Sequence, residues 1–69
     1  MATFYEKFGE KVKKLRKDQN MSQEKLAELI NRDPRTVVAV EAGKRNATIK
    51  TIYKIAKALQ TTPSKLLEV

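Results

Sequence analysis

The 69-residue sequence contains no cysteine, no histidine and no tryptophan, and its aromatic residues are two tyrosines and two phenylalanines. Without cysteine there is no disulfide and no thiolate ligand, and without histidine the commonest metal ligand and near-neutral acid/base group is missing. So few aromatic rings cannot build the stacking platform on which single-strand readers hold bases. Glycine and proline occur only twice each, and no glycine-rich phosphate loop is present. Ser, Thr, Lys and Asp do occur, but at no spacing that sets a nucleophile against a base, so catalysis, a metal and a cofactor are not expected.

Long apolar runs are also missing. The N-terminal stretch MATFYEKFGEKVKK carries charges every few residues, which fits neither a signal peptide nor a membrane span. The expectation is a soluble, cytoplasmic protein with no membrane partner. A chain of 69 residues suits one domain, residues 1–69, with a modest core.

Positive charge, in contrast, is abundant: fifteen Lys and Arg against eight Asp and Glu give a formal charge of +7. Phosphate neutralisation makes a polyanion a natural partner for such a chain, although many basic proteins of this size are merely soluble. Its distribution says more. Residues 1–22 carry +3 and residues 44–69 carry +5, whereas residues 23–43 carry −1. A near-neutral centre between basic flanks suits a molecule whose flanks hold phosphates while its middle inspects bases.

The centre, SQEKLAELINRDPRTVVAVEAG from Ser22 to Gly43, reads as two short helices joined by a tight turn. With Gln23 as the first position, Leu26, Ala27 and Ile30 fall at the fourth, fifth and eighth, and Val37 and Val40 at the fifteenth and eighteenth. These are the places a helix-turn-helix keeps apolar or small, and Ala27 lets two steeply crossed backbones approach. Val37 and Val40 share one face of the second helix, so Pro34, Arg35, Val38 and Ala39 point elsewhere.

Cap signals divide the remainder into helices. The first runs from about Phe4 to Gln19, with Phe8, Val12 and Leu15 as its buried stripe and Lys7, Lys11, Lys13, Lys14 and Lys17 outside. Ser22 caps the second, which ends near Ile30; Asp33 followed by Pro34 starts the third, and Gly43 stops it. Thr48 caps a fourth helix, expected to bury Ile52, Ile55, Ala56 and Leu59 with Ile49 and Tyr53 at its border. Thr62 and Pro63 start a short fifth helix carrying Leu66 and Leu67. No segment alternates as a strand would, so the expected class is all-α.

This stretch and its flanks, KVKKLRKDQNMSQEKLAEL before and VEAGKRNATIKTIYKIAKAL and TPSKLLEV after, resemble the phage repressor and Cro family, also called the Xre family. The resemblance covers most of the chain and implies a compact five-helix bundle of the lambda-repressor-like DNA-binding type. Two departures lie in the turn: Asn31 replaces the usual glycine and Arg32 an apolar residue. Asparagine tolerates a left-handed backbone, and Arg32 could lay its methylenes on the core.

The resemblance implies a sequence-specific, double-stranded-DNA-binding transcriptional regulator, with repression the expected mode, that inserts the third helix into the major groove. Arg35, Val38 and Ala39 match base-contacting positions. Arginine can bond guanine with two parallel N–H groups, a phosphate contact being its alternative, and Val38 and Ala39 could pack on thymine methyls. Burial in a protein interface is the other reading of Val38. Pro34 stands where relatives carry a base-reading polar side chain, which leaves more of the reading to methyl contacts and DNA shape.

Gln23, Thr36, Lys44, Arg45, Asn46 and Lys50 match phosphate-contacting positions, and Arg16 and Glu41 match a structural salt bridge. Tyr53, Leu66, Leu67 and Val69 either form a homodimer interface addressing a partly palindromic operator or close the monomer. The alternative function is a protein-interaction module, such as an antitoxin, that binds a partner protein with DNA binding secondary.

Overall fold

The computed structural model describes residues 3–44 and 47–68, and every regular element among them is helical. In chain order these are α1 (Phe4–Asp18), α2 (Gln23–Leu29), α3 (Pro34–Glu41), α4 (Ile49–Ala58) and α5 (Pro63–Leu66). Each begins at a side-chain cap. Thr3 and Glu6 form a reciprocal capping box on α1, and the side chains of Ser22, Asp33, Thr48 and Thr62 accept from the amides of Lys25, Arg35, Thr51 and Lys65.

The first four helices also end alike. Asn20, Asn31, Gly43 and Gln60 take positive φ of 53°, 57°, 72° and 57°. The amides of the residues that follow, Met21, Arg32, Lys44 and Thr61, donate back to the carbonyls of Arg16, Ala27, Ala39 and Ala56 at 2.9–3.0 Å. This is the Schellman ending, which satisfies carbonyls that a helix terminus would leave bare. Asn31 thus performs the role expected of it in the turn between α2 and α3. Arg32 is exposed.

The core comprises Phe8, Val12, Leu26, Ala27, Ile30, Val37, Val40, Ile55, Ala56, Leu59 and Leu66, with Leu15, Met21, Ala47, Ile52 and Ala58 partly buried against it. α2 and α1 both lie on α3, α4 lies on α2, and α5 closes against α4 and α1. Burial of α3 by two helices leaves one side of it free. Close approach of α1 to α3 depends on Gly9, where an added Cβ would overlap the Val40 carbonyl oxygen and lie 2.6 Å from that of Glu41. Gly43 is equally confined, since a Cβ there would come within 2.6 Å of Glu6 Cα.

Several expectations need correction. α1 stops at Asp18, with Gln19 as its C-cap. Leu15 and Ile52 are only half-buried, and Ile49 and Tyr53 are 75% and 62% exposed, well beyond a border position. Leu66 belongs to no surface: it is fully buried in the single chain, because the one-turn α5 points it inward between α1 and α4 and turns Leu67 out at 39% exposure. Val69 lies outside the described residues. None of the described helices is long and apolar enough to cross a membrane.

Candidate nucleic-acid interface

The free side of α3 follows from its register. Val37 and Val40 are 2% exposed and anchor the helix, whereas Val38, one residue on from Val37, is 48% exposed. Pro34 and Arg35 are exposed at the N-terminal end, and Thr36 and Ala39 are half-buried at the margins. A helix held by one face and bare on the other can enter a groove about 12 Å wide without disturbing its support.

Arg35 does not extend freely from this face. Its Nε and Nη2 donate to Asp33 Oδ1 and Oδ2 at 3.1 and 3.2 Å, while its backbone N–H donates to the same Oδ1 at 2.8 Å. Asp33 therefore caps α3 and holds the guanidinium at once. The hydrogen bonds from the Arg35 side chain and backbone hold the Asp33 carboxyl below its ordinary 3.8, and the reciprocal bond raises Arg35.

Arg16 and Glu41 form the expected salt bridge, and it is buried. Arg16 Nε donates to Glu41 Oε2 at 2.6 Å and Nη2 to Oε1 at 3.1 Å, and Nη1 donates to the Met21 carbonyl at 2.6 Å. The side chains are 8% and 4% exposed. A buried pair of this kind is tolerable because its remaining hydrogen-bonding capacity is met within the protein. No buried side-chain N or O among the described residues lacks a partner.

Gln23 joins the same cluster. Its half-buried amide donates from Nε2 to Glu41 Oε1 at 3.0 Å, which leaves one N–H for an outside acceptor. Lys44 and Lys50 are exposed on the stretch following α3 and in the first turn of α4. Arg45 and Asn46 lie outside the described residues. The structure thus joins Gln23, Arg16 and Glu41 into one group and couples Arg35 to Asp33, a residue the sequence reading used only as a cap. The Asp-Pro-Arg spacing was the signal for that second role, since an N-cap carboxylate lies within reach of a long side chain two residues on.

Residues 12–66 match the profile of the HTH_3 helix-turn-helix family. The chain belongs to this family. As a family member it is 42% identical over 62 residues to control protein C.BamHI of Bacillus amyloliquefaciens, covering 88% of this chain and 76% of that one. Control protein C.MunI of Mycoplasma sp. is 41% identical over 61 residues, covering 87% and 82%. Among solved structures, the restriction-modification controller protein C.AhdI of Aeromonas hydrophila superimposes with a TM-score of 0.88 at 40% identity, covering 90% of this chain and 94% of that one. The clp gene regulator ClgR of Corynebacterium glutamicum reaches a TM-score of 0.92 at 20% identity, a likeness of fold alone. The Xre-type resemblance and the five-helix architecture are both borne out.

Proposed function

We propose that this chain is a sequence-specific DNA-binding transcriptional regulator of the control-protein type, acting in the cytoplasm as a homodimer. The observation that carries this reading is the division of α3: Val37 and Val40 lock it into the core while Arg35 and Val38 stand outside it. The likeness to C.AhdI over nearly the whole of both chains supports the same reading. Its similarities are to regulators and not to enzymes.

In this reading α3 enters the major groove of duplex DNA. Arg35, Val38 and Ala39 face bases, and Gln23, Thr36, Lys44, Arg45, Asn46 and Lys50 hold phosphates. Exposed Ile49 and Tyr53 stand one turn apart on α4 and offer an apolar surface for a second copy, with exposed Leu67 as a further candidate contact. A dimer would place two recognition helices about one helical turn, roughly 34 Å, apart along a partly palindromic operator. Occlusion of polymerase there would repress transcription.

Selection of bound sequences from randomised duplex DNA, near physiological salt and with competitor present, tests the reading. Enrichment of a partly palindromic site is the expected result. Salt-sensitive retention without enrichment would overturn it in favour of a module that docks on another protein.

A further inference from the structure

The geometry points to Asp33 as a specificity-determining residue: it holds Arg35 side-on so that the far edge of the guanidinium is presented to guanine. The inference rests on the DNA-binding reading above and deepens it.

Arginine has five N–H groups arranged in a rigid plane. Asp33 takes the Nε–H and one N–H of Nη2, at 3.1 and 3.2 Å. Three donors remain, and one on Nη1 and one on Nη2 lie parallel along the outer edge. That pair matches the two acceptors, O6 and N7, which guanine alone presents side by side in the major groove. Adenine offers an amino donor in place of O6 and would oppose it.

Two further properties of the pair favour a base over a phosphate. The Arg35 side chain is 91% exposed, so without a holder it would sample many rotamers and lose that freedom on binding. Asp33 is itself fixed, because the same Oδ1 that accepts from Nε also caps α3 through the Arg35 amide at 2.8 Å. The guanidinium is thereby tied to the helix end and not merely to a mobile neighbour. The carboxylate also cancels the Arg35 charge. Glu41, the only other ionisable residue from Asp33 to Gly43, is spent on buried Arg16. The outward face of α3 is consequently neutral, a poor clamp for phosphate but a fit partner for a base edge.

Wild type, Arg35→Ala, Asp33→Ser and Asp33→Asn are compared in the full chain by selection from randomised duplexes, then by binding to duplexes varied at the enriched positions. Serine and asparagine both cap helices well, so the fold is retained while the side-on pair is lost or weakened; melting curves confirm it, and either variant serves if the other fails to fold. Arg35→Ala is expected to lose preference at one guanine. Asp33→Ser is expected to lower preference at that same guanine by about three- to ten-fold, the value of one pre-ordered side chain. Its affinity for unrelated DNA should hold or rise.

Undiminished guanine preference in folded Asp33→Ser, or a uniform gain on every sequence, overturns the inference while leaving the DNA-binding reading intact. Loss of preference at a different position from Arg35→Ala overturns it too. A wild type that enriches no sequence fails the DNA-binding reading, and the inference falls with it.

Discussion

Gln23 Nε2 donates a 3.0 Å hydrogen bond to Glu41 Oε1, the same oxygen that accepts from Arg16 Nη2 at 3.1 Å. One carboxylate at the last residue of α3 thus ties together the first residue of α2 and the buried side of α1. The amide of Gln23 can meet that carboxylate only through its nitrogen, since its oxygen would be repelled. The orientation in which Gln23 faces solvent is therefore set from inside the protein.

Glu41→Ala leaves Arg16 buried beside an empty site. Breaking such a pair costs about 3–5 kcal/mol, and in a domain of this size each 1 kcal/mol moves the midpoint by about 4–8 °C. A fall of more than about 10 °C in thermal melting, followed by far-UV circular dichroism, is expected. A midpoint within a few degrees of wild type, with DNA binding lost, would make the pair functional and not structural.

Gln23→Ala removes one hydrogen bond near the surface, so the expected loss of stability is only about 0.5–1.5 kcal/mol. Binding should weaken alike on selected and scrambled duplexes. Because glutamine is neutral, the dependence of log affinity on log salt should not change. Lys44→Ala should also weaken all sequences similarly, but should reduce that slope by about one. Titrations at several salt concentrations separate the two roles, and equal slopes for both variants would contradict them.

Backbone conformation supplies an opposed pair of substitutions. Gln60 occupies a left-handed position at φ 57° that costs a side-chain-bearing residue roughly 1–2 kcal/mol. Gln60→Gly should therefore raise stability, by about 0.5–1 kcal/mol after the entropy of glycine is counted. Gly9→Ala should lower it by about 1–3 kcal/mol, even though alanine is the better helix former, because the added carbon meets the Val40 carbonyl. Urea melts of the two proteins should bracket that of wild type.

The Asp33 carboxyl, held down first by the Arg35 side chain and then by its amide, should titrate below 3.8. A carboxyl depressed in the folded state contributes stability that is complete above its unfolded pKa and is lost as pH falls through its folded one. The Asp33 contribution should accordingly begin to fall as pH drops through the ordinary carboxylate range and be gone once pH has passed below the depressed folded value. Carbon-detected NMR titration of the side chain gives the folded value, and a midpoint at or above 3.8 would count against the side-on pair.

Much of this molecule was legible in the sequence because its boundaries are written locally. Ser22, Asp33 with Pro34, Thr48 and Thr62 each cap the helix assigned to them, and Val37 and Val40 face inward as their spacing required. What escaped depends on how helices approach one another. Periodicity locates a buried stripe but not its width, so Ile49 and Tyr53 are more exposed than expected. Two adjacent leucines in one turn give no sign of which points inward, so the choice between a dimer interface and closing the monomer stayed open for Leu66 until its burial decided it. Gly9 carries no local mark of its role beyond the cost, about 1 kcal/mol, of a glycine inside a helix. The hydrogen bond from Gln23 spans eighteen residues of sequence and needs the crossing of α2 and α3 to exist.

The shared ending of α1 to α4 bears on how quickly the chain reaches its structure. Each helix is started and stopped by groups within a few residues of its ends, so its bounds are set locally and not by a distant partner. Assembly then joins helices with locally set ends over small separations along the chain, and topologies of that kind fold in microseconds to milliseconds. A regulator with this property would become competent almost as soon as it is synthesised, and its activity would follow its concentration without a folding delay.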